Sequence, residues 1–131
     1  MEKKLSKAED IAERLELLQS KLEAISLEIS QLKQADVAPD GCWILRYQSR
    51  GKGGTYWYYK WQSKEPIFVT KTGAKSCHKY IGKAGSKEFF RAVEMMLART
   101  KIEAFDQVIH TLELARMDLI EEATRYQKKK S

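Results

Sequence analysis

The spacing of apolar residues between Ile11 and Leu32 constrains this chain more than any other feature. Ile11, Leu15, Leu18, Leu22, Ile25, Ile29 and Leu32 follow one another by steps of 4, 3, 4, 3, 4 and 3. Such a repeat makes one narrow stripe along a slightly under-wound helix, and that stripe is buried well only by another helix wrapped around it in a left-handed supercoil. Ser6, with Glu9 three positions later, has the spacing of a capping box. The helix is therefore expected from about Ser6 to Gln34. Pro39 disfavours helix at Ala38, and Asp40-Gly41 supplies turn chemistry. The plainer alternative is a helix lying on its own domain's core, with Ala12, Leu17 and Leu27 adding contacts.

A second helix is expected from about Lys87 to Gln127. Gly85 ends what precedes it, Ser86 is a good N-cap, and Glu88 falls in the first turn. Its apolar positions are Phe90, Val93, Leu97, Ile102, Phe105, Ile109, Leu112, Leu119, Ala123 and Tyr126, and Arg116 interrupts them. Unbroken, it would be about 60 Å long, too long for a small sheet to cover. The register is least regular near Ala98–Lys101, where a break would fall. Two arrangements satisfy both seams. One is an antiparallel hairpin within the chain, with the middle segment at its tip. The other is a parallel coiled coil between chains. The surplus of the longer helix, with any exposed apolar flank, is expected to support a homodimer.

Between the helices the pattern changes to alternation. "CWILRYQSR" puts Trp43, Leu45 and Tyr47 on one side of a strand and Ile44, Arg46, Gln48 and Arg50 on the other. After a glycine-rich hairpin loop, "GKGG", the strand "TYWYYKWQS" puts Trp57, Tyr59 and Trp61 on one side and Tyr56, Tyr58, Lys60 and Gln62 on the other. "PIFVTK" reads as a third strand, and "KSCHKYIGK" continues it after a bend at Gly73 or forms a fourth. The expected fold is α+β: a small antiparallel meander of three or four strands flanked by two long helices that form a coiled-coil arm. The parts are residues 1–35, 36–86 and 87–131. Grouped by apolar content, Trp43, Leu45 and Tyr47 join Trp57, Tyr59 and Trp61 against Phe89, Phe90 and Val93. Arg46, Gln48, Arg50, Tyr56, Tyr58 and Lys60 are left accessible.

Charge singles out the same middle segment. Residues 41–87 hold 10 Lys and Arg against one acidic residue, Glu65, although the whole chain is only +6. All three Trp and five of the six Tyr lie between Trp43 and Tyr80. A basic, aromatic segment points to a polyanionic partner more strongly than a uniformly basic surface does. Arg and Gln on a sheet reach base edges in the DNA major groove, which admits a β-ribbon. Lys52, Lys71, Lys75, Lys79 and Lys83 suit phosphates, and Tyr56 and Tyr58 suit phosphates or unpaired bases. Each Lys taken singly also fits a solvated sheet edge, and Tyr is a good strand residue in any sheet.

Other classes fit poorly. No apolar run is long enough to span a bilayer, and "MEKKLSKAED" has no hydrophobic signal core, so a cytoplasmic protein is expected. Cys42 and Cys77 read as free, partly buried thiols. Cys77-His78 lacks the paired spacing of a zinc site, so no metal or other cofactor is expected. "GKGGT" departs from the phosphate-binding G-x-x-x-x-G-K-[ST] loop. His78 and His110 have no acid or nucleophile beside them in sequence, and no compact carboxylate set accompanies the basic strands. Neither catalysis nor a small-molecule substrate is expected.

At "GTYWYYKW" and "HKYIGKAGSKEF" the chain resembles a loosely defined group of bacterial, plasmid and mobile-element proteins with no established activity. The shared residues are Tyr56, Trp57, Tyr58, Tyr59, Tyr80, Ile81, Gly82 and Lys83, and the resemblance spans about residues 41–115. The middle segment also resembles the three-stranded arm-type DNA-binding domain of tyrosine recombinases. That resemblance implies a sheet surface applied to DNA. It implies no recombinase activity, because the chain has no room for the catalytic domain.

The expected function is noncatalytic binding of nucleic acid, DNA with RNA as the variant, by Arg46, Gln48, Arg50, Lys52, Tyr56, Tyr58 and Lys60, with Lys71, Lys75 and Lys79 on phosphates. The alternative is an assembly adaptor whose aromatic sheet grips an acidic protein.

Overall fold

Ser6 caps the first helix as its spacing from Glu9 requires: its Oγ accepts the Glu9 N–H at 3.1 Å, and its carbonyl accepts the Asp10 N–H at 2.9 Å. The computed structural model describes residues 6–130. Met1–Leu5, the start of the stretch read for a signal core, lie outside the described residues. The fold is α+β, and its order is α1 (Lys7–Gln34), β1 (Cys42–Gly51), β2 (Gly54–Ser63), β3 (Phe68–Val69), β4 (Lys75–Ser76), β5 (His78–Lys83) and α2 (Lys87–Lys130). α2 is helical throughout, including Ala98–Lys101, where irregular apolar register suggested a break. The chain forms two compact units, one of α1 with α2 from Lys101 onward, the other of Ala35–Thr100.

In the helical unit the 4-3 seam is the buried stripe. Ile11, Leu22, Ile25 and Ile29 are buried, and Leu15, Leu18 and Leu32 are half-buried. On α2 the facing positions are Leu119, buried, and Ile102, Phe105, Ile109, Leu112, Ala123 and Tyr126, all half-buried. Arg116 turns outward and Ala115 takes its place. Glu122 fixes the direction. Its Oε1 accepts from Lys7 Nζ at 2.6 Å and from Arg14 Nη2 at 3.2 Å, and Arg14 also bridges to Asp10 at 2.9 Å. The start of α1 therefore lies beside the end of α2, and the two run antiparallel. The partner of the seam is the chain's own second helix. The hydrogen bonds from Lys7 and then Arg14 hold the Glu122 carboxyl below its ordinary range.

In the other unit, β1, β2 and β5 make a three-stranded antiparallel sheet in the order β1-β2-β5. β3 and β4 form a separate two-stranded hairpin inserted between β2 and β5. "PIFVTK" contributes only Phe68–Val69 to it, so it is not a strand of the main meander. Where that excursion returns, the Ser63 N–H donates to the Cys77 carbonyl at 2.9 Å. The β1–β2 turn is only Lys52 and Gly53, because Gly51 pairs with Gly54. Gly53 takes φ +88°, where a side chain would be strained and its Cβ would lie 2.8 Å from the Tyr56 hydroxyl. That hydroxyl donates to the Lys52 carbonyl at 2.8 Å and closes the turn.

The core of this unit is Ala38, Cys42, Trp61, Ile81 and Ala92, with Ile44, Tyr59, Phe68, Phe89, Met95 and Met96 around it. Small residues at Ala38, Cys42 and Ala92 let α2 come close to the sheet, and the Trp61 indole fills the space between. The Ala38 N–H donates to the Met95 carbonyl at 3.1 Å. Arg99 donates to the carbonyls of Pro39 and Cys42, which straps the residues before β1 onto α2. Phe89, whose ring lies 4.7 Å from that of Tyr59 at an inclination of 58°, is the packing aromatic of the helix start. The expectation for Phe90 and Val93 is corrected: Phe90 is 56% and Val93 40% exposed, because the helix turns Phe89, Ala92 and Met96 inward.

Candidate functional site

The strand register decides which side chains share a surface. Ile44 pairs with Trp61, Leu45 with Lys60, Arg46 with Tyr59, Tyr47 with Tyr58 and Gln48 with Trp57. A two-residue turn pairs odd positions with even ones, so the sorting by apolar content is corrected. Cys42 and Ile44 join Tyr59 and Trp61 on the face that α2 covers. Trp43, Leu45 and Tyr47 lie instead with Tyr56, Tyr58, Lys60 and Gln62 on the opposite face. On β5, Tyr80 faces Lys60, His78 faces Gln62 and Lys83 faces Tyr58. Ile81 turns into the core by alternation after Tyr80, and a bulge at this point shifts the pairing by one residue and so puts Lys83 opposite Tyr58 on the open face.

This second face is open. Tyr80 is 60% exposed, and Trp43, Leu45 and Tyr56 are exposed too. Tyr47 and Tyr58 have ring centroids 6.0 Å apart, and Tyr58 and Tyr80 are 6.1 Å apart. The Lys60 ammonium lies 4.9 Å from the Tyr47 ring centre and that of Lys83 6.0 Å from Tyr56. Partial burial, then the neighbouring Tyr80 and Tyr58, raise the Tyr47 phenol above its ordinary value. Among the described residues, no Asp or Glu holds a strand position on this face.

The expected binding residues separate accordingly. Tyr56, Tyr58 and Lys60 lie on the open face, although the Tyr56 hydroxyl is engaged by Lys52. Arg46, Gln48 and Arg50 lie on the other face, beyond the part that α2 covers, where the Arg46 guanidinium sits 4.0 Å over the Trp57 ring. Lys52 is in the turn, Lys71 and Lys75 belong to the β3–β4 hairpin, and Lys79 faces Trp61 on the covered side. Trp43 and Tyr47 are surface residues that apolar sorting placed on the covered side, and Tyr80 joins them from β5 together with Lys83, which was expected at phosphates. The parity of the β1–β2 turn is the signal that places Trp43 and Tyr47 there. β5 pairs only with Tyr58–Gln62, so Gly54–Trp57 and their β1 partners form a two-stranded ribbon that extends past the third strand.

Both cysteines are free thiols, Cys42 buried and Cys77 half-buried, and among the described residues no group of three His, Cys, Asp or Glu could hold a metal ion. Among the same residues, no helix is long and apolar enough to cross a membrane. No protein-family model, curated protein or solved structure matches the chain.

Proposed function

We propose that the sheet unit binds nucleic acid without catalysis. The observation that carries this reading is the open face of β1-β2-β5, where exposed aromatic rings and the ammonium groups of Lys60 and Lys83 stand together with no strand carboxylate. Sequence-tolerant binding needs flat apolar rings for bases and cations for phosphates, and this surface has both. The ribbon adds Arg50 and Lys52 at its projecting end, with Arg46 just before it, so phosphates bound on either side of the hairpin meet positive charge. DNA is the proposed ligand and RNA its variant. A role on a plasmid or other mobile element follows only from the resemblance of the aromatic strand and the Tyr80-Ile81-Gly82-Lys83 run.

Self-association is the second part of the proposal. α1's seam is occupied within the chain, so a homodimer would use the apolar residues that the helical unit leaves exposed, Leu17, Leu27, Val108, Leu114, Met117 and Ile120. Sedimentation equilibrium tests this, and a monomer at all concentrations removes it.

Fluorescence anisotropy of labelled DNA at low and raised salt tests the binding itself, with Arg46/Arg50/Lys60→Ala as the control. Salt-sensitive binding that the variant weakens supports the reading, because each neutralised phosphate steepens the salt dependence. A folded protein that binds no nucleic acid at low salt overturns it and leaves an acidic protein as the partner of the open face.

A further inference from the structure

The tyrosines of the open face form a row across the strands. Tyr47 on β1, Tyr58 on β2 and Tyr80 on β5 are consecutive neighbours, with centroid separations of 6.0 and 6.1 Å and ring planes inclined by 33° and 52°. We infer that this row is a stacking platform for unpaired bases, so that the ligand of the open face is single-stranded nucleic acid. The inference rests on the nucleic-acid reading above and narrows it.

Three observations carry it. A duplex hides the faces of its bases and shows only their edges, which are read by long donors and acceptors such as Arg and Gln. Arg46, Gln48 and Arg50 are on the opposite face, and the open face, with Gln62 as its one side chain of this kind on the strands, offers mainly rings. The ring spacing of 6.0 Å also exceeds the rise of about 3.4 Å per nucleotide in a stacked strand. It fits a strand whose bases have come apart, each lying on its own ring. Finally, the Lys60 ammonium lies 4.9 Å over the Tyr47 ring and that of Lys83 6.0 Å over the Tyr56 ring, so cations for phosphates stand next to the rings. A base settling on Tyr47 takes the place of the Lys60 ammonium, which then turns to a phosphate. Tyr58, in the middle, touches both neighbours and is the position through which consecutive bases would pass.

The test compares three labelled probes of equal length: an oligothymidylate, a strand of abasic sites, and a duplex. Stacking on one aromatic side chain is sequence-tolerant and, when removed, is expected to cost about 5- to 150-fold in affinity. The thymidylate strand should therefore bind more tightly than the abasic strand and the duplex. Tyr58→Ala should weaken thymidylate binding by that factor while leaving the abasic strand unchanged, and Tyr58→Phe should retain it. Tyr80→Ala, at an exposed position, gives the same reading if Tyr58→Ala does not fold. Equal, salt-sensitive binding of the abasic and thymidylate strands, or tighter binding of the duplex, overturns the platform and leaves nucleic-acid binding standing. Failure of all three probes to bind removes both.

Discussion

The guanidinium of Arg46 lies 4.0 Å over the ring of Trp57, on the side of the sheet away from Tyr58. The pair joins neighbouring strands at the point where the pairing with β5 ends, and it shields a tryptophan that is still 45% exposed. Exposed cation–π contacts contribute about 0.5–1 kcal/mol. Arg46→Ala should lower unfolding stability by about that amount in urea titration, and should make Trp57 more accessible to iodide quenching. Unchanged quenching would mean that the pair does not persist in solution.

Trp61 and Trp43 stand on opposite faces of the hairpin and should respond differently to truncation. Trp61 is 5% exposed and central to the core, whereas Trp43 is 38% exposed on the open face. Trp61→Ala should cost about 3–5 kcal/mol, as large-to-small core substitutions do. Trp43→Ala should cost less than about 1 kcal/mol, within the range of surface changes. Denaturant unfolding followed by circular dichroism measures both, and the reverse order would invert the assignment of the two faces.

That assignment marks the limit of what was legible from the chain alone. The helices were legible, because the seam from Ile11 to Leu32 has one period and Ser6 one capping geometry, and the structure uses both. The strands Cys42–Gly51 and Gly54–Ser63 were legible from alternation and from the glycines between them. The faces were not, because both sides of each strand are rich in rings and hydrophobicity cannot choose between them. A one-residue change of register exchanges the two sides. Two physical facts settled it: the two-residue turn at Lys52–Gly53, and the small side chains of Cys42 and Ala92, which let the helix approach one side. The seam's partner was also undetermined, because a heptad stripe is satisfied equally by a second chain; Glu122, bridged to Lys7 and Arg14, marks the antiparallel choice.

Gly82 and Ser86 form a tight joint between β5 and α2. Ser86 Oγ accepts the Phe89 N–H at 3.2 Å as the N-cap. Gly82 has φ +153°, and a Cβ there would stand 2.9 Å from that same Oγ. Ser86→Ala should cost about 1 kcal/mol through loss of the cap. Gly82→Ala should cost more than this, since it adds backbone strain and displaces the cap as well. Equal losses, measured by thermal or urea unfolding, would show that the cap alone sets the joint.

Acid should loosen the helical unit through Glu122. Its folded-state pKa is depressed by Lys7 and Arg14, so in the acid range the unfolded chain binds more protons. The stabilisation is complete above the ordinary glutamate pKa of about 4.3 and is lost as pH falls through the lower folded value. Glu122→Gln should therefore be less stable than the parent at neutral pH, with the difference shrinking as the pH is lowered through that window. A difference that stays constant with pH would contradict a role for the charge.

The most direct test of the account is to map the ligand on the protein by nuclear magnetic resonance, titrating isotope-labelled protein with a short single strand of DNA. Shifts concentrated at Tyr47, Tyr58, Lys60, Tyr80 and Lys83, with Trp61 and the α1 seam unmoved, are the predicted result. Shifts confined to α1 and the distal part of α2, or no shifts from a folded protein, would contradict it.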